Sequence, residues 1–306
     1  MSVPKLMGSP PEIDAAQAWD AFRDMTRRDQ SLAPLTWLKI GGPAQMLIEP
    51  RTVEEAAAVV RTCHEQEVPL HLLGGGSNLL VRDEGVSGVV LWLHHEAFTE
   101  IEITGDRVRA GAGALLSRLV SQTVAAGLAG LESLVGIPGT VAGAIRGNAG
   151  GRLGDIGQFV KSVTTVTPKG EIVVRGEEEL AFEYRHCNLS DLIVSAEFAV
   201  EHEDSEEIVR RMRKLWIMKK ATQPMSFQSA GCIFKNPRGL SAGALIEQAG
   251  LKGTRIGQCE VSDRHANFIV TYEGAKSSDV LKLIDLIRAR VHEAQGVHLE
   301  LEIQVW

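Results

Sequence analysis

Leu72-Leu73-Gly74-Gly75-Gly76-Ser77-Asn78-Leu79-Leu80-Val81 decides how this chain is read. Three consecutive glycines after an apolar strand give a backbone that can take positive φ and approach a ligand closely, with its N–H groups turned toward an anion. Such a loop suits a pyrophosphate. A glycine run is also an ordinary tight connection, so the rest of the chain must separate the two readings. The loop is not G-x-G-x-x-G and opens no long helix, which argues against a Rossmann dinucleotide site and leaves a nucleotide-type cofactor on another fold.

Working outward, Ala44–Glu49 reads as a strand. Thr52 and Glu55 form a capping box before a helix carrying Ala56, Val59, Val60 and Cys63 on its apolar face, and Pro69–Leu73 restores strand character. Residues 44–73 are thus a strand–helix–strand unit, most simply a parallel pair. Val89–Leu93 adds a buried strand. Thr36–Ile40 reads as a further strand. Residues 10–30 read as an amphipathic helix opened by Ser9, Pro10 and Pro11, with Ala15, Trp19, Phe22 and Met25 at helical spacing.

The 306 residues and 44% hydrophobic content allow two or three well-buried domains. The formal charge of −7 gives no general affinity for nucleic acid or an anionic membrane. The N-terminus lacks a signal-peptide layout and no apolar run is long enough to span a bilayer, so a cytoplasmic protein is expected. Cys63, Cys187, Cys232 and Cys259 are widely separated, with no CxxC pair and no His or Cys at metal-ligand spacing, so neither disulfides nor a metal is expected.

From about residue 98 the texture changes to a hairpin, 100–104 and 107–111, which marks a domain boundary. A helix over 114–126 leads to a second glycine-dense segment, Gly136–Gly151. So many small residues with so little charge suggest backbone packed against a flat ligand or against another backbone. Strands at 159–167, 171–175 and 192–200 follow. Ser205 is read as the cap of a helix over 206–221, with Val209, Met212, Leu215 and Met218 on one face and a basic, solvated remainder. The segment Gln228–Pro237 then delivers a thiol, Cys232, an ammonium, Lys235, and a carboxamide, Asn236, within five positions. Ser278 is read as capping a final helix striped by Val280, Leu283, Ile284, Ile287 and Val291. The closing strand 297–306 puts Glu300 and Glu302 opposite Leu299, Leu301 and Ile303.

GGGSNLLV, GIPGTVAGAIRGNAGG, the Tyr184-Arg185 pair, SAGCIFKNP, AGLKG at 249–253 and LELE near the C-terminus, in this order, resemble the UDP-N-acetylenolpyruvoylglucosamine reductase (MurB) family over residues 32–306. Little chain lies between Arg185 and SAGCIFKNP, which resembles the family's second, shorter subtype. The resemblance implies an α+β fold: two FAD-binding subdomains of the vanillyl-alcohol-oxidase type, 1–97 and 98–204, the second completed by strand 297–306, plus a smaller α+β substrate-binding domain, 205–296. It implies non-covalent FAD held by Gly74, Gly75, Gly76, Ser77 and Asn78, and by Gly136, Ile137, Pro138, Gly139, Thr140, Gly143, Ala144, Asn148 and Ala149, chiefly through backbone N–H groups.

The implied reaction reduces the enolpyruvyl ether of a UDP-sugar with NADPH, in peptidoglycan precursor synthesis. Arg185, Cys232 and Glu302 fall at the family's catalytic positions, and Lys235, Asn236 and His265 near the substrate. Arg185 would hold the substrate carboxylate as charge develops and Cys232 would donate the proton. Glu302 would hydrogen-bond the intermediate if protonated or orient a partner if ionised. Most members carry serine where Cys232 stands, and His186 and Arg146 are smaller departures without an assigned role. Neither nucleic-acid nor membrane partners are expected, and the oligomeric state stays open, with a monomer slightly favoured. Two other readings stay open: a sugar or alcohol oxidase on the same fold, and a nucleotide-sugar-binding module without flavin.

Overall fold

The computed structural model describes residues 16–151 and 153–306. Its first unit holds β1 (Thr26–Ser31), β2 (Pro43–Ile48), α1 (Val53–Glu65), β3 (Leu70–Leu73), the two-residue β4 (Leu79–Leu80) and β5 (Val86–Trp92). One sheet runs in the order β1-β2-β5-β3, with β2 and β3 each parallel to β5. The strand–helix–strand unit is therefore present, but its two strands do not pair: β5 lies between them. Val89, Val90 and Leu91 are fully buried, as a strand covered on both faces requires.

The expected helix over 10–30 is corrected by the structure. Ser9, Pro10, Pro11 and Ala15 lie outside the described residues; Ala16–Trp19 is helical and Asp20–Met25 forms a 3-10 turn. The Thr26 hydroxyl then donates to Phe22 O (2.8 Å), and β1 turns away to pair antiparallel with the edge of β2. Trp19 and Phe22 are buried all the same. Thr36–Ile40 is not a strand but a tight loop, fastened by the buried Thr36 hydroxyl donating to Ile40 O (2.8 Å). Trp37 N–H donates to Gly76 O (3.0 Å), so this loop backs the glycine run.

The second unit comprises β6 (Ile101–Thr104), β7 (Arg107–Gly111), α2 (Leu116–Ala125), α3 (Val141–Arg146), β8 (Val160–Val166), β9 (Ile172–Gly176) and β10 (Leu192–Ala199). Its sheet, β9-β8-β10-β7-β6, is antiparallel throughout. Val59 and Val89 of the first unit share one apolar core with Leu119, Val163 and Phe198 of the second, which fixes the two units against each other.

Helix α4 (Ser205–Thr222) buries Ile208 in that same core, so it belongs with the second unit and the third unit begins after it, not at 205. Its cap is Asp204, which accepts the N–H groups of Glu206 and Glu207, rather than Ser205. Met218, expected on the apolar face, is 50% exposed because the helix stands off the core toward its C-terminal end.

The third unit holds β11 (Gln228–Cys232), α5 (Ala242–Gln248), β12 (Arg255–Ile256), β13 (Cys259–Val261), β14 (Phe268–Thr271), α6 (Ser277–Gln295) and β15 (Gln304–Val305). Its sheet is β11-β14-β13-β12, and the α6 stripe is buried as read. Ser278 is not the cap: Asp83 of the first unit accepts Ser277 N–H (2.9 Å) and Ser278 N–H (3.4 Å). The closing strand does not complete the second unit either. β15 pairs parallel with β4, while Leu299 and Ile303 enter the third unit's core, because their alternation turns the apolar side that way.

Candidate active site

The two glycine segments meet back to back. A Cβ on Gly75 would lie 2.8 Å from Gly139 Cα, and one on Gly139 would lie 2.8 Å from Ser77 Oγ. Gly76 has φ +61°, and a Cβ there would come within 2.0 Å of Leu35 O. Among the described residues, the backbone N–H groups of Gly74, Gly75, Gly76, Ser77, Gly136, Gly139 and Thr140 meet no protein acceptor. Half-buried amides without partners make a cradle for phosphate oxygens, and these residues fit the pyrophosphate of FAD.

The donor set is narrower than the sequence suggests. Ile137 donates to Leu134 O (3.1 Å), Ala144 to Thr140 O (2.9 Å), Asn148 to Ile145 O (3.0 Å) and Ala149 to Ala144 O (2.7 Å), while Gly143 N–H is taken by Thr140 Oγ1 (3.5 Å). Pro138 has no N–H. The Asn148 side chain is also occupied: Nδ2 donates to Glu183 O (2.9 Å) and Oδ1 accepts Gly157 N–H (3.1 Å). Asn148 therefore fastens the hairpin whose tip is Tyr184-Arg185. Arg146 works beside it, donating to the carbonyls of Leu189 and Asp191 (2.6 Å to the latter).

At that tip Arg185 has φ +57°, a left-handed conformation rare for arginine. Its Nε donates to Glu302 Oε1 at 2.7 Å, with the two side chains 22% and 17% exposed. Glu302 is held in turn by its N–H on Ile233 O (2.8 Å) and by Asn78 Nδ2 on its carbonyl (3.0 Å). Ile233 directly follows Cys232. The glycine loop, the Tyr-Arg tip, the thiol segment and the C-terminal strand thus converge on one place.

Burial pushes the Cys232 thiol up to about 12, Glu302's charge acts in the same direction, and Arg185 and the Asn267 amide draw it only partly back. Burial also lifts Glu302 above the ordinary carboxylate range, against the pull of Arg185 and Lys235. Lys219 Nζ donates to Val135 O (2.6 Å), one residue from Gly136. Burial, then the Arg185 charge, lower its amine to about 8.

Lys235 is ion-paired with Glu300 (2.8 Å), and Asn236 Oδ1 accepts Ala242 N–H (2.9 Å) at the start of α5, leaving Nδ2 free of that bond. A cleft of about 440 Å³ lined by Tyr184, Asn236, Pro237, Arg238, Gly239 and Leu240 opens beside them. A larger one, about 890 Å³, runs along α4 from Asp204 to Ile217 and touches none of these groups. His265 stacks edge-on against Phe268 and abuts Gly243, and burial lowers its imidazole, so it packs the third unit rather than presenting a charge.

Two residues escaped the sequence reading. Asn267, buried, accepts Phe234 N–H (3.0 Å) and donates to Phe234 O (2.8 Å), pinning the chain just after the thiol. Its one sequence signal was its place beside His265-Ala266. Lys219 was hidden among the basic residues of α4, although it follows half-buried Leu215 by four.

An α+β scaffold with unpaired amides on two abutting glycine loops, next to a half-buried Arg–Glu–thiol group, defines an FAD-dependent oxidoreductase. Residues 44–176 match the FAD binding domain, and residues 223–306 match the C-terminal domain of UDP-N-acetylenolpyruvoylglucosamine reductase. The chain is 41% identical to UDP-N-acetylenolpyruvoylglucosamine reductase 2 of Symbiobacterium thermophilum, over 92% of each chain. It is 40% identical to the reductase of Syntrophus aciditrophicus, over 90% of each. The crystal structure of the reductase (MurB) from Thermus caldophilus superposes with a TM-score of 0.80 at 40% identity, covering 92% of this chain and 98% of that one. The chain belongs to the UDP-N-acetylenolpyruvoylglucosamine reductase family. Among the described residues no helix is long and apolar enough to cross a membrane.

Proposed function

We propose that the protein reduces UDP-N-acetylglucosamine enolpyruvate to UDP-N-acetylmuramate with NADPH, and that Arg185, Cys232 and Glu302 carry the step. The supporting observation is the 2.7 Å Arg185–Glu302 pair set beside a protonated thiol. When bound, FAD supplies the hydride, taken from NADPH, to the terminal carbon of the enolpyruvyl double bond. The negative charge that then develops on the substrate carboxylate needs a cation. Arg185 meets it: Glu302 engages its Nε, which leaves the two Nη groups to bind the substrate carboxylate. One such donor contributes about 3–4 kcal/mol to the transition state.

Cys232 protonates the carbon bearing the ether oxygen. Its raised pKa keeps the proton in place at neutral pH, and the neighbouring guanidinium stabilises the thiolate left behind. Glu302 orients Arg185. Asn236 binds the UDP-sugar along the 440 Å³ cleft that it lines, with Lys235 beside it in sequence, and NADPH and substrate use the site in turn. The enzyme works in the cytoplasm, in the synthesis of peptidoglycan precursors.

Stopped-flow absorbance under anaerobic conditions tests this. NADPH should bleach the flavin band and the enolpyruvyl substrate should restore it. Cys232→Ala should spare bleaching and slow recovery by about 10²–10⁴-fold, the usual worth of a general acid. Equal loss in both halves removes Cys232 as donor, and a flavin that only oxygen restores removes the reductase reading.

A further inference from the structure

Strands β2 and β5 run parallel with Ile48 beside Leu91, so the residues leaving their C-terminal ends emerge together. Glu49 leaves β2, and His94-His95 leave β5 two residues further on. One ligand atom from each of these three side chains lies within 4.8 Å of the other two. We propose that Glu49, His94 and His95 form a binding site for a divalent transition-metal cation of the zinc class. The ligands are one carboxylate oxygen and two imidazole nitrogens, with solvent completing the coordination.

The three groups are already held for this. Glu49 is a buried carboxylate, 7% exposed, anchored by its N–H on Met25 O (2.9 Å). Its Oε2 lies 2.6 Å from His94 Nε2. Its Oε1 has no aligned hydrogen-bond donor, although Arg27 Nε stands 2.8 Å away as an ion-pair partner on a side chain 62% exposed. Trp92 stacks on the His94 ring at 4.0 Å, and the His95 ring lies 4.5 Å from that of His94. His94 and His95 are half-buried, so water reaches the open side.

Two nitrogens and one oxygen suit zinc, cobalt or nickel and disfavour magnesium and calcium, which take oxygen ligands. Bonds of about 2.0–2.2 Å place tetrahedral ligand atoms about 3.4 Å apart. Glu49 Oε2 and His94 Nε2, now 2.6 Å apart, must spread by about 0.8 Å to admit the ion, and the His95 nitrogen, within 4.8 Å of both, must draw in by up to about 1.4 Å, movements within reach of χ rotation in two half-exposed histidines. The cation takes the place of the proton between His94 Nε2 and Glu49 Oε2, which passes to solvent. Arg27, whose Nη2 also donates to Oε2 (3.3 Å), gives up that bond to the cation and keeps its Nε on Oε1. No CxxC or His-x-His spacing announces the site, because its two halves are joined only by the register of β2 on β5.

The test is a titration of the FAD-loaded, tag-free protein at pH 7.5 with Zn²⁺ by calorimetry, and with Co²⁺ followed through its visible absorption. One equivalent should bind, with proton release and a rise in Tm. His95→Ala should weaken binding at least tenfold while keeping the flavin spectrum. His94→Ala should do the same. His298→Ala, which removes half of the stacked His292–His298 pair elsewhere on the surface, should bind as the parent does. No binding at millimolar metal, binding unaffected by His95→Ala, or binding lost in His298→Ala would each overturn the site.

Discussion

In its proposed role Cys232 would combine two demands that oppose each other: a proton donor must hold its proton at rest and release it to a developing carbanion. Burial and the Glu302 charge meet the first, lifting the thiol from its reference 9.0 to about 12. Arg185 serves the second. The other three cysteines are fully buried, so alkylation reports on Cys232. Iodoacetamide labelling of Cys232 should climb with pH through 10 without levelling, whereas an unperturbed thiol, about half ionised near pH 9, would be close to its plateau by pH 10. Glu302→Gln removes one of the raising charges and should speed labelling at pH 8.5. A plateau below pH 10 in the parent would show that the thiol is not held up by its surroundings. At this scale the meeting of the segments that carry Arg185, Cys232 and Glu302 was legible because their motifs lie in a fixed order along the chain. Lys219 and Asn148 were not, since one was masked by a run of like charges and the other by a segment whose glycines suggested cofactor contact. What either side chain touches depends on the folded partner.

Elements were legible where their signal is local. The α6 stripe, the Thr52 cap and the 101–111 hairpin could all be read from neighbouring residues. Elements whose ends are set by distant residues could not. The start of α6 is an example: its first amides are met by Asp83, 194 and 195 positions earlier in the chain, and Ser277 Oγ returns the contact by accepting Asp83 N–H (2.8 Å). No inspection of residues 275–280 reveals that. The strand β1 is the other example, since its charged residues gain extended structure only from the edge of β2. A side-chain cap of this kind contributes about 1 kcal/mol, and here it also fastens the third unit to the first. Asp83→Ala should lower Tm by a few degrees, and Asp83→Asn, which keeps an acceptor, should recover much of it. Burial opposes the charge of Asp83, yet the hydrogen bonds from Ser277 and Ser278 outweigh it and hold its carboxyl below the ordinary range. The parent's advantage over Asp83→Ala should therefore be full above the unfolded carboxyl pKa and fade as pH falls through the lower, folded one. An advantage independent of pH down to 2 would assign the effect to something other than the carboxylate.

At the scale of the whole molecule, three units converge on the candidate site, and one of the joints is backbone against backbone. The glycine loop of the first unit touches the glycine segment of the second, while Asn78 of that loop holds the C-terminal strand that delivers Glu302. Composition could show that both segments needed glycine, but not whether a flat ligand or another backbone was the reason. The structure shows the second directly, since Gly75 faces Gly139, and it leaves amides of both segments without a protein acceptor, as the proposed cofactor contact would need. Gly75→Ala separates these roles from a general loss of flexibility. Its Cβ would lie 2.8 Å from Gly139 Cα and 3.3 Å from Gly139 C, atoms that cannot swing aside, so the two units must part by several tenths of an ångström. The phosphate hydrogen bonds proposed for both loops would not survive that movement intact. Gly75→Ala should retain flavin at least tenfold more weakly and melt at a lower temperature. Gly151→Ala, where a Cβ meets nothing within 4 Å, should keep both properties. Purified Gly75→Ala with a full flavin complement and the parent's Tm would mean that the joint yields, and that close approach of the two units does not shape the cofactor site.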